Sequence, residues 1–271
     1  MKYLTLYGHF IRVYLKSKME FKFPFVMEII ANIVMCIVFY LGMKMLFYRF
    51  DLINGWNFYE VMFLYSLNLL AASISGMFVW SPMIMLSSEV QLGTFDSLLT
   101  KPLSPLLYLI FKQFQHTFLG WVVVSLYILV QSVKGAGLHL NAVTVLSIIT
   151  VVISGVLINS GFLIITGSLS FWVIKNVEIV GLFNNQESSS LRTVVDFPLT
   201  IYSKPIQIVF TFLLPYAFIN FYPATIFFHK ENSYLFNSNL GFWSPAVGVA
   251  IFLLSLFIWK TGLKRYNSTG S

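Results

Sequence analysis

An all-α integral membrane protein with about six membrane-spanning helices is the fold class this sequence predicts, on three observations. Of 271 residues, 58% are hydrophobic, 18% aromatic and 10% charged, a balance typical of bilayer-embedded chains rather than soluble domains of this length. The apolar residues gather into runs near the ~20 residues a helix needs to cross a bilayer, at 25–47, 58–80, 118–133, 142–173, 206–228 and 242–259. The basic residues are unevenly shared between the ends of those runs. If both termini are cytoplasmic, 13 of the 17 lysines and arginines, Lys175, Arg192 and Lys204 among them, fall inside, leaving Lys44, Arg49, Lys134 and Lys230 outside. That bias is the one cytoplasmic loops carry, so the net charge of +7 reflects topology and attraction to an anionic inner leaflet rather than nucleic-acid binding.

The N-terminal 24 residues form the first element. Lys2, His9 and Lys16 recur every seven residues, while Tyr3, Tyr7, Phe10, Ile11 and Tyr14 follow helical spacing on another face. This pattern predicts an amphipathic helix at the membrane interface, ended where Pro24 turns the chain inward. The stretch has no compact apolar core and small-residue cleavage site of the signal-peptide kind. In span one, Glu28 reads as a snorkelling or paired carboxylate, and the lone cysteine, Cys36, as packing.

Spans four and five carry the unusual patterns. At 32 residues, span four is longer than a hydrocarbon core of about 30 Å requires, so it tilts or projects. Thr144, Gly155, Asn159, Thr166 and Ser170 share one arc of that helix, a small and polar stripe suited to close helix packing or to lining a pathway. Span five, within 205–230, contains Pro215, Asn220, Tyr222 and Pro223. Proline removes a backbone donor, which predicts a bent or re-entrant outer element rather than a straight rod.

The chemistry of enzymes is missing from the pattern. There is no G-x-x-x-x-G-K-[ST] phosphate loop, no H-E-x-x-H and no C-x-x-C, so no bound cofactor and no metal centre is expected. A membrane-bound lipid enzyme needs clustered acid, base or metal ligands near one interface, and none is apparent. A non-transporting anchor or immunity protein fits the composition equally well.

The segment 89–106, EVQLGTFDSLLTKPLSPL, is polar and turn-rich amid apolar surroundings. It resembles the cytoplasmic signature of type-2 ABC transporter permeases, in particular a six-span bacterial export branch. Glu89 and Gly93 stand as the Glu-x-x-x-Gly step, Leu98 and Leu99 as the following pair, and Pro102, Leu103, Pro105 and Leu106 as the Pro-Leu-x-Pro-Leu stop. Residues 197–224 and the tail 259–271 are similar to the same branch. The relatives often carry a basic residue near the first step, where this chain has Val90, Gln91 and Thr94.

The resemblance implies one permease domain over 1–271, with a cytoplasmic coupling helix inside 81–114 that docks on a separate ATPase subunit. It implies ATP and Mg on that partner, two partner copies, a second permease half, identical or related, and a multi-pass location in the cell's inner or plasma membrane. Glu89, Gly93, Thr94, Phe95, Asp96, Leu98, Leu99 and Pro102 become the coupling set. Within it, Glu89 is expected near a helix start, and Phe95, Leu98 and Leu99 are expected to offer apolar anchors. The implied activity is outward transport of an amphipathic or hydrophobic compound, with an outer gate at Pro215, Asn220, Tyr222 and Pro223.

Overall fold

The longest helix starts where the sequence supplies a capping box. The Asn57 side chain accepts from the Glu60 N–H (3.0 Å), and the Glu60 carboxylate accepts from the Asn57 N–H (2.9 Å), so two backbone donors that a helix start leaves unpaired are satisfied. The computed structural model describes residues 2–20, 22–173, 177–184, 191–230 and 237–266. Among them α1 is Lys2–Met19, α2 Lys22–Arg49, α3 Phe58–Gln91, α4 Asp96–Leu99, α5 Pro105–Lys112, α6 Phe118–Gly135 and α7 Ala142–Phe171. After these come α8 Val177–Asn184, short 3-10 turns at Leu191–Asp196 and Leu199–Ile201, then α9 Lys204–Leu213, α10 Pro215–Phe227 and α11 Asn239–Arg265. No strand forms among the described residues, so the chain is an all-α membrane protein, with five helices long and apolar enough to cross a bilayer and a sixth if α9 and α10 count as one.

One end of the molecule, here the terminal end, carries α1, α4, α5 and the close of α11. The aromatic face of α1 packs on α5 and the residues after it, with Tyr7 against Phe111 (4.5 Å between ring centres) and Tyr14 against Phe114 (5.9 Å). Arg12 and Lys16 are exposed on the opposite face; the side chains of Lys2 and His9 lie outside the described residues. Pro24 stands in the first turn of α2, where its missing N–H has no helical partner to lose. Glu28 is paired: its Oε2 lies 3.1 Å from His116 Nε2. At 34 residues, about 50 Å, α3 outruns the hydrocarbon core and projects at the terminal end. The far end of α7 does the same, where Phe171 meets Phe95.

The fifth crossing differs from the sequence expectation. Val180 lies in the terminal-end apolar cluster, Phe183 stacks on Phe162 deeper along α7 (6.0 Å), and Asp196 meets Asn68 in α3. The Thr200 carbonyl then accepts from Asn54 Nδ2 (3.1 Å) in the distal loop between α2 and α3. The described stretches 177–184 and 191–201 therefore lead from one end to the other. Helices α9 and α10 meet at a 72° bend. The first follows directly from the distal Thr200. The second returns to the distal end, where Phe227 and Phe228 pack on Phe63 and Lys230 bonds Glu60 (2.9 Å) and the Gly55 carbonyl (2.7 Å). Between them Tyr216 reaches inward to Phe162 (4.8 Å). This is a re-entrant element rather than a span running from 206 to 228. Hydropathy favoured it because α9 and α10 together are more apolar than the polar, broken crossing before them.

Two basic residues move with that correction. Arg192 is buried at membrane depth beside Asp196, not in a cytoplasmic loop, and Lys204 stands just past the distal Thr200. Lys175 lies outside the described residues. In a Cys36→Ser background, cysteines at Lys204 and His139 should react with a membrane-impermeant reagent from one face, and a cysteine at Ser97 only from the other. Labelling of Lys204→Cys together with Ser97→Cys from one face would overturn the re-entrant reading.

Candidate functional site

The polar segment after α3 begins with a helix stop. Gly93 adopts a left-handed backbone, φ 69°, a conformation that costs other L-residues roughly 1–2 kcal/mol. The reversal lets the Phe95 N–H and the Thr94 hydroxyl both return to the Glu89 carbonyl (3.1 and 3.2 Å), satisfying a carbonyl in the last turn. Glu89 thus belongs to the end of α3, not to a helix start. Its carboxylate is held by Lys112 Nζ and Gln113 Nε2, each at 3.4 Å.

Phe95 turns inward, contrary to its expected role as an outward anchor. It is 0% exposed, edge-on to Phe171 (5.4 Å) and Tyr266 (5.0 Å). Tyr266 in turn donates to Asp96 Oδ1 (3.0 Å). Burial, with the Asp96 carboxylate adding to it, pushes the Tyr266 hydroxyl up to about 12, so it remains a donor across the physiological range. Leu98 is also buried in this cluster. The face left outward holds Leu92 (76% exposed) and Leu99 (46%), with Thr94, Ser97 and Pro102 around them. The four-residue helix α4 is therefore riveted to the ends of α7 and α11 on one side and open on the other. The turn of an aromatic ring inward or outward is set by neighbours distant in sequence, which local spacing does not report.

A second connection runs from this segment into α3. Between Gly76 and Trp80 that helix widens to a π turn, which leaves carbonyls off the regular ladder. The Gln115 N–H donates to the Met77 carbonyl (2.9 Å), the Ser81 hydroxyl to Gln113 Oε1 (3.1 Å), and Asn32 Nδ2 of α2 to the Thr117 carbonyl (3.0 Å). A Cβ on Gly76 would meet the Phe118 ring at 2.2 Å. Residues 112–118 are thus clasped between α2 and α3 at the widened turn.

The stripe on α7 is divided. A Cβ on Gly155 would stand 2.8 Å from Ala71 and 3.0 Å from Ile219, so α7 meets both α3 and the re-entrant element there. Asn159 is wholly buried and donates to the Gly155 carbonyl (3.0 Å). Thr166 and Ser170 bond back to the Phe162 and Gly167 carbonyls (2.7 and 2.6 Å). Thr144 belongs to the distal cap, its N–H and hydroxyl both donating to Asn141 Oδ1. Of these positions, Gly155 is the one at which α7 meets neighbouring elements; the other bonds run within α7 or its cap.

In the re-entrant element, Pro215 follows the bend at Leu214 (φ −122°, ψ 81°). Pro223 sits in the first turn of the α-helical stretch Phe221–Phe227 within α10, where proline is tolerated, so the break belongs to Pro215. Asn220, fully buried, donates through Nδ2 to the Leu64 and Val195 carbonyls, and Tyr222 shares a hydrogen bond with Thr211 (2.8 Å).

Sequence reasoning missed one feature. A cavity of about 880 Å³ lies between α2, α3, α6 and the 192–197 turn, lined by Asn32, Tyr65, Trp121, Arg192 and Asp196 among mostly apolar neighbours. The signal was a lone arginine and aspartate four residues apart, Arg192 and Asp196, which reads equally as an exposed loop pair.

Fold and segment define a multi-pass helical membrane protein whose crossing helices converge on one short, half-open helical segment at the terminal end. The family described as ABC-2 family transporter protein matches residues 33–270, and the chain belongs to it. It is thus a membrane component of a transporter, of the kind that works with a separate ABC ATPase. No curated protein matches, and no solved structure matches.

Phe95→Ala is expected to destabilise the chain by about 3–5 kcal/mol, the range for emptying a buried phenylalanine site, read as a lowered thermal midpoint in detergent. An unchanged midpoint would show that the ring does not pack as described.

Proposed function

We propose that this chain is the permease subunit of an ATP-driven exporter. Two copies of a separate ATPase, which hold the ATP and Mg, drive it, and a second permease half, identical or related, completes the pathway. The observation that carries this reading is the two-sidedness of 92–102. Its inner face is fastened to the ends of α7 and α11 by Phe95, Leu98 and Asp96. Its outer face offers Leu92 and Leu99 in a polar rim, the arrangement of a docking patch.

Force applied to that patch has a covalent and hydrogen-bonded route into the membrane. Through Glu89, Lys112 and Gln113 it reaches the 112–118 strap, and through the Gln115 to Met77 bond it reaches the π turn of α3. Widened turns of this kind are frequent at functional sites. A pull on the strap shifts α2 against α3 beside the cavity. With the ATPase at the terminal end, both termini are cytoplasmic, in keeping with the lysines and arginines gathered there. The membrane is then a bacterial inner or plasma membrane and the movement outward. The cargo is an amphipathic or hydrophobic compound, suited to a cavity with mostly apolar walls.

The paired substitution Leu92→Glu and Leu99→Glu alters only exposed positions, so the thermal midpoint should hold. Co-purification of the ATPase in mild detergent should fall at least roughly tenfold, as expected when a docking anchor worth more than 1.4 kcal/mol is lost. Substrate-stimulated ATP hydrolysis should vanish with it. Undiminished co-purification would remove this segment from the coupling role.

A further inference from the structure

The membrane-depth cavity contains donors without acceptors. Arg192 is 3% exposed, yet its Nε and Nη1 have no hydrogen-bond partner. Among the described residues its carboxylate neighbour is Asp196, whose Oδ1 is 3.9 Å from Nη1, beyond hydrogen-bond reach, and that oxygen already accepts from Asn68 Nδ2 at 2.6 Å. Trp121 Nε1, on the same cavity wall, is buried and also lacks an acceptor. Met35, Val38, Phe39, Leu69 and Phe197 give the wall an apolar stretch, while Asn32, Gln115, Thr117 and Thr193 line it elsewhere. Met35 (65% exposed) and Val38 (59%) form its rim, so the cavity opens sideways along α2, toward the region the acyl chains occupy.

Burying a guanidinium with three of its five N–H donors idle is costly in any low-dielectric setting, and an ionisable group at this depth marks a functional site by default. Guanidinium and indole are donor-only groups, and the fork of a guanidinium matches the paired oxygens of a carboxylate or phosphate. We infer that this cavity binds the anionic end of an amphipathic molecule, with a carboxylate or phosphate on Arg192 and Trp121 and an apolar body along Phe39, Leu69 and Phe197. Within the transporter reading, on which the purpose of the site rests, the cargo is an amphipathic anion. Asp196 leaves the arginine unsatisfied rather than neutralised by a close bond, so an incoming anion breaks no existing hydrogen bond of the guanidinium. Its negative charge also weakens binding, which yields a second expectation.

The measurement is quenching of tryptophan fluorescence in the purified full chain, since Trp80 and Trp121 both line the cavity. The probes are 9,10-dibromostearate and its uncharged counterpart, 9,10-dibromostearyl alcohol. Stearate should saturate at a concentration at least roughly tenfold lower, the discrimination expected when one charge-assisted contact is absent. Asp196→Asn should strengthen stearate binding and leave the alcohol unchanged. The paired variant Arg192→Gln with Asp196→Asn, which removes both charges together, should bind the two probes alike. Competition by phosphatidylglycerol in nanodiscs assigns the site to a lipid headgroup, and its failure to compete assigns it to a diffusible amphipath. Equal affinity of the wild-type chain for stearate and alcohol overturns the inference, even if the paired variant does not fold. Because this binding is read without the ATPase, retained co-purification alongside such a result would leave the transporter reading intact and sink the anion site alone.

Discussion

The amide of Asn220 holds together what hydrophobicity alone leaves apart. Buried among apolar side chains, it donates at once to the Leu64 carbonyl of α3 and the Val195 carbonyl of the broken crossing. A polypeptide at membrane depth has no water to satisfy its backbone, so the irregular turns at 191–201 and 214–220 persist only because protein groups supply the missing partners. Asn68 does the same from α3, donating to the Arg192 carbonyl (3.3 Å) and the Asp196 carboxylate, and the Tyr216 hydroxyl donates to the Phe183 carbonyl (3.0 Å). With those partners in place, a broken crossing and a re-entrant element can sit side by side. The cavity beside Arg192 is a consequence, since a broken crossing cannot pack as tightly against α2 and α6 as a helix would.

Regular helices make up the other half of the membrane domain, and they meet through small residues. Helix α7 packs along α11 with the Ser154 hydroxyl bonded to the Ser244 carbonyl, and against α3 and the re-entrant element at Gly155. Lipid tails are as apolar as leucine, so close backbone approach and hydrogen bonds, not water exclusion, drive such pairing. The molecule therefore has a tightly knit side, α3, α7 and α11, and a looser side where α2 borders the cavity. The terminal-end segment is fixed to the first side by Phe95 and Tyr266 and to the second by the strap at 112–118, which is the geometry for moving one relative to the other.

The all-α membrane fold with five or six apolar spans and the bent element at 204–227 were legible in the linear chain. Apolar run length, basic-residue bias and the positions of proline and glycine are local quantities, and a bilayer translates them directly into structure. Gly93 takes a left-handed backbone that few other residues tolerate. Tertiary structure alone decided that Phe95 faces the chain's own core and that the fifth crossing lies in the described stretches 177–184 and 191–201. Each of those depends on a partner more than twenty residues away, namely Tyr266 and the Asn54 amide that donates to the Thr200 carbonyl. The pairing of Arg192 with an open cavity is of the same kind. A charge in a polar stretch looks solvated until the fold encloses it, and what encloses it is contributed by α2, α3 and α6, whose distances no pattern along the chain records.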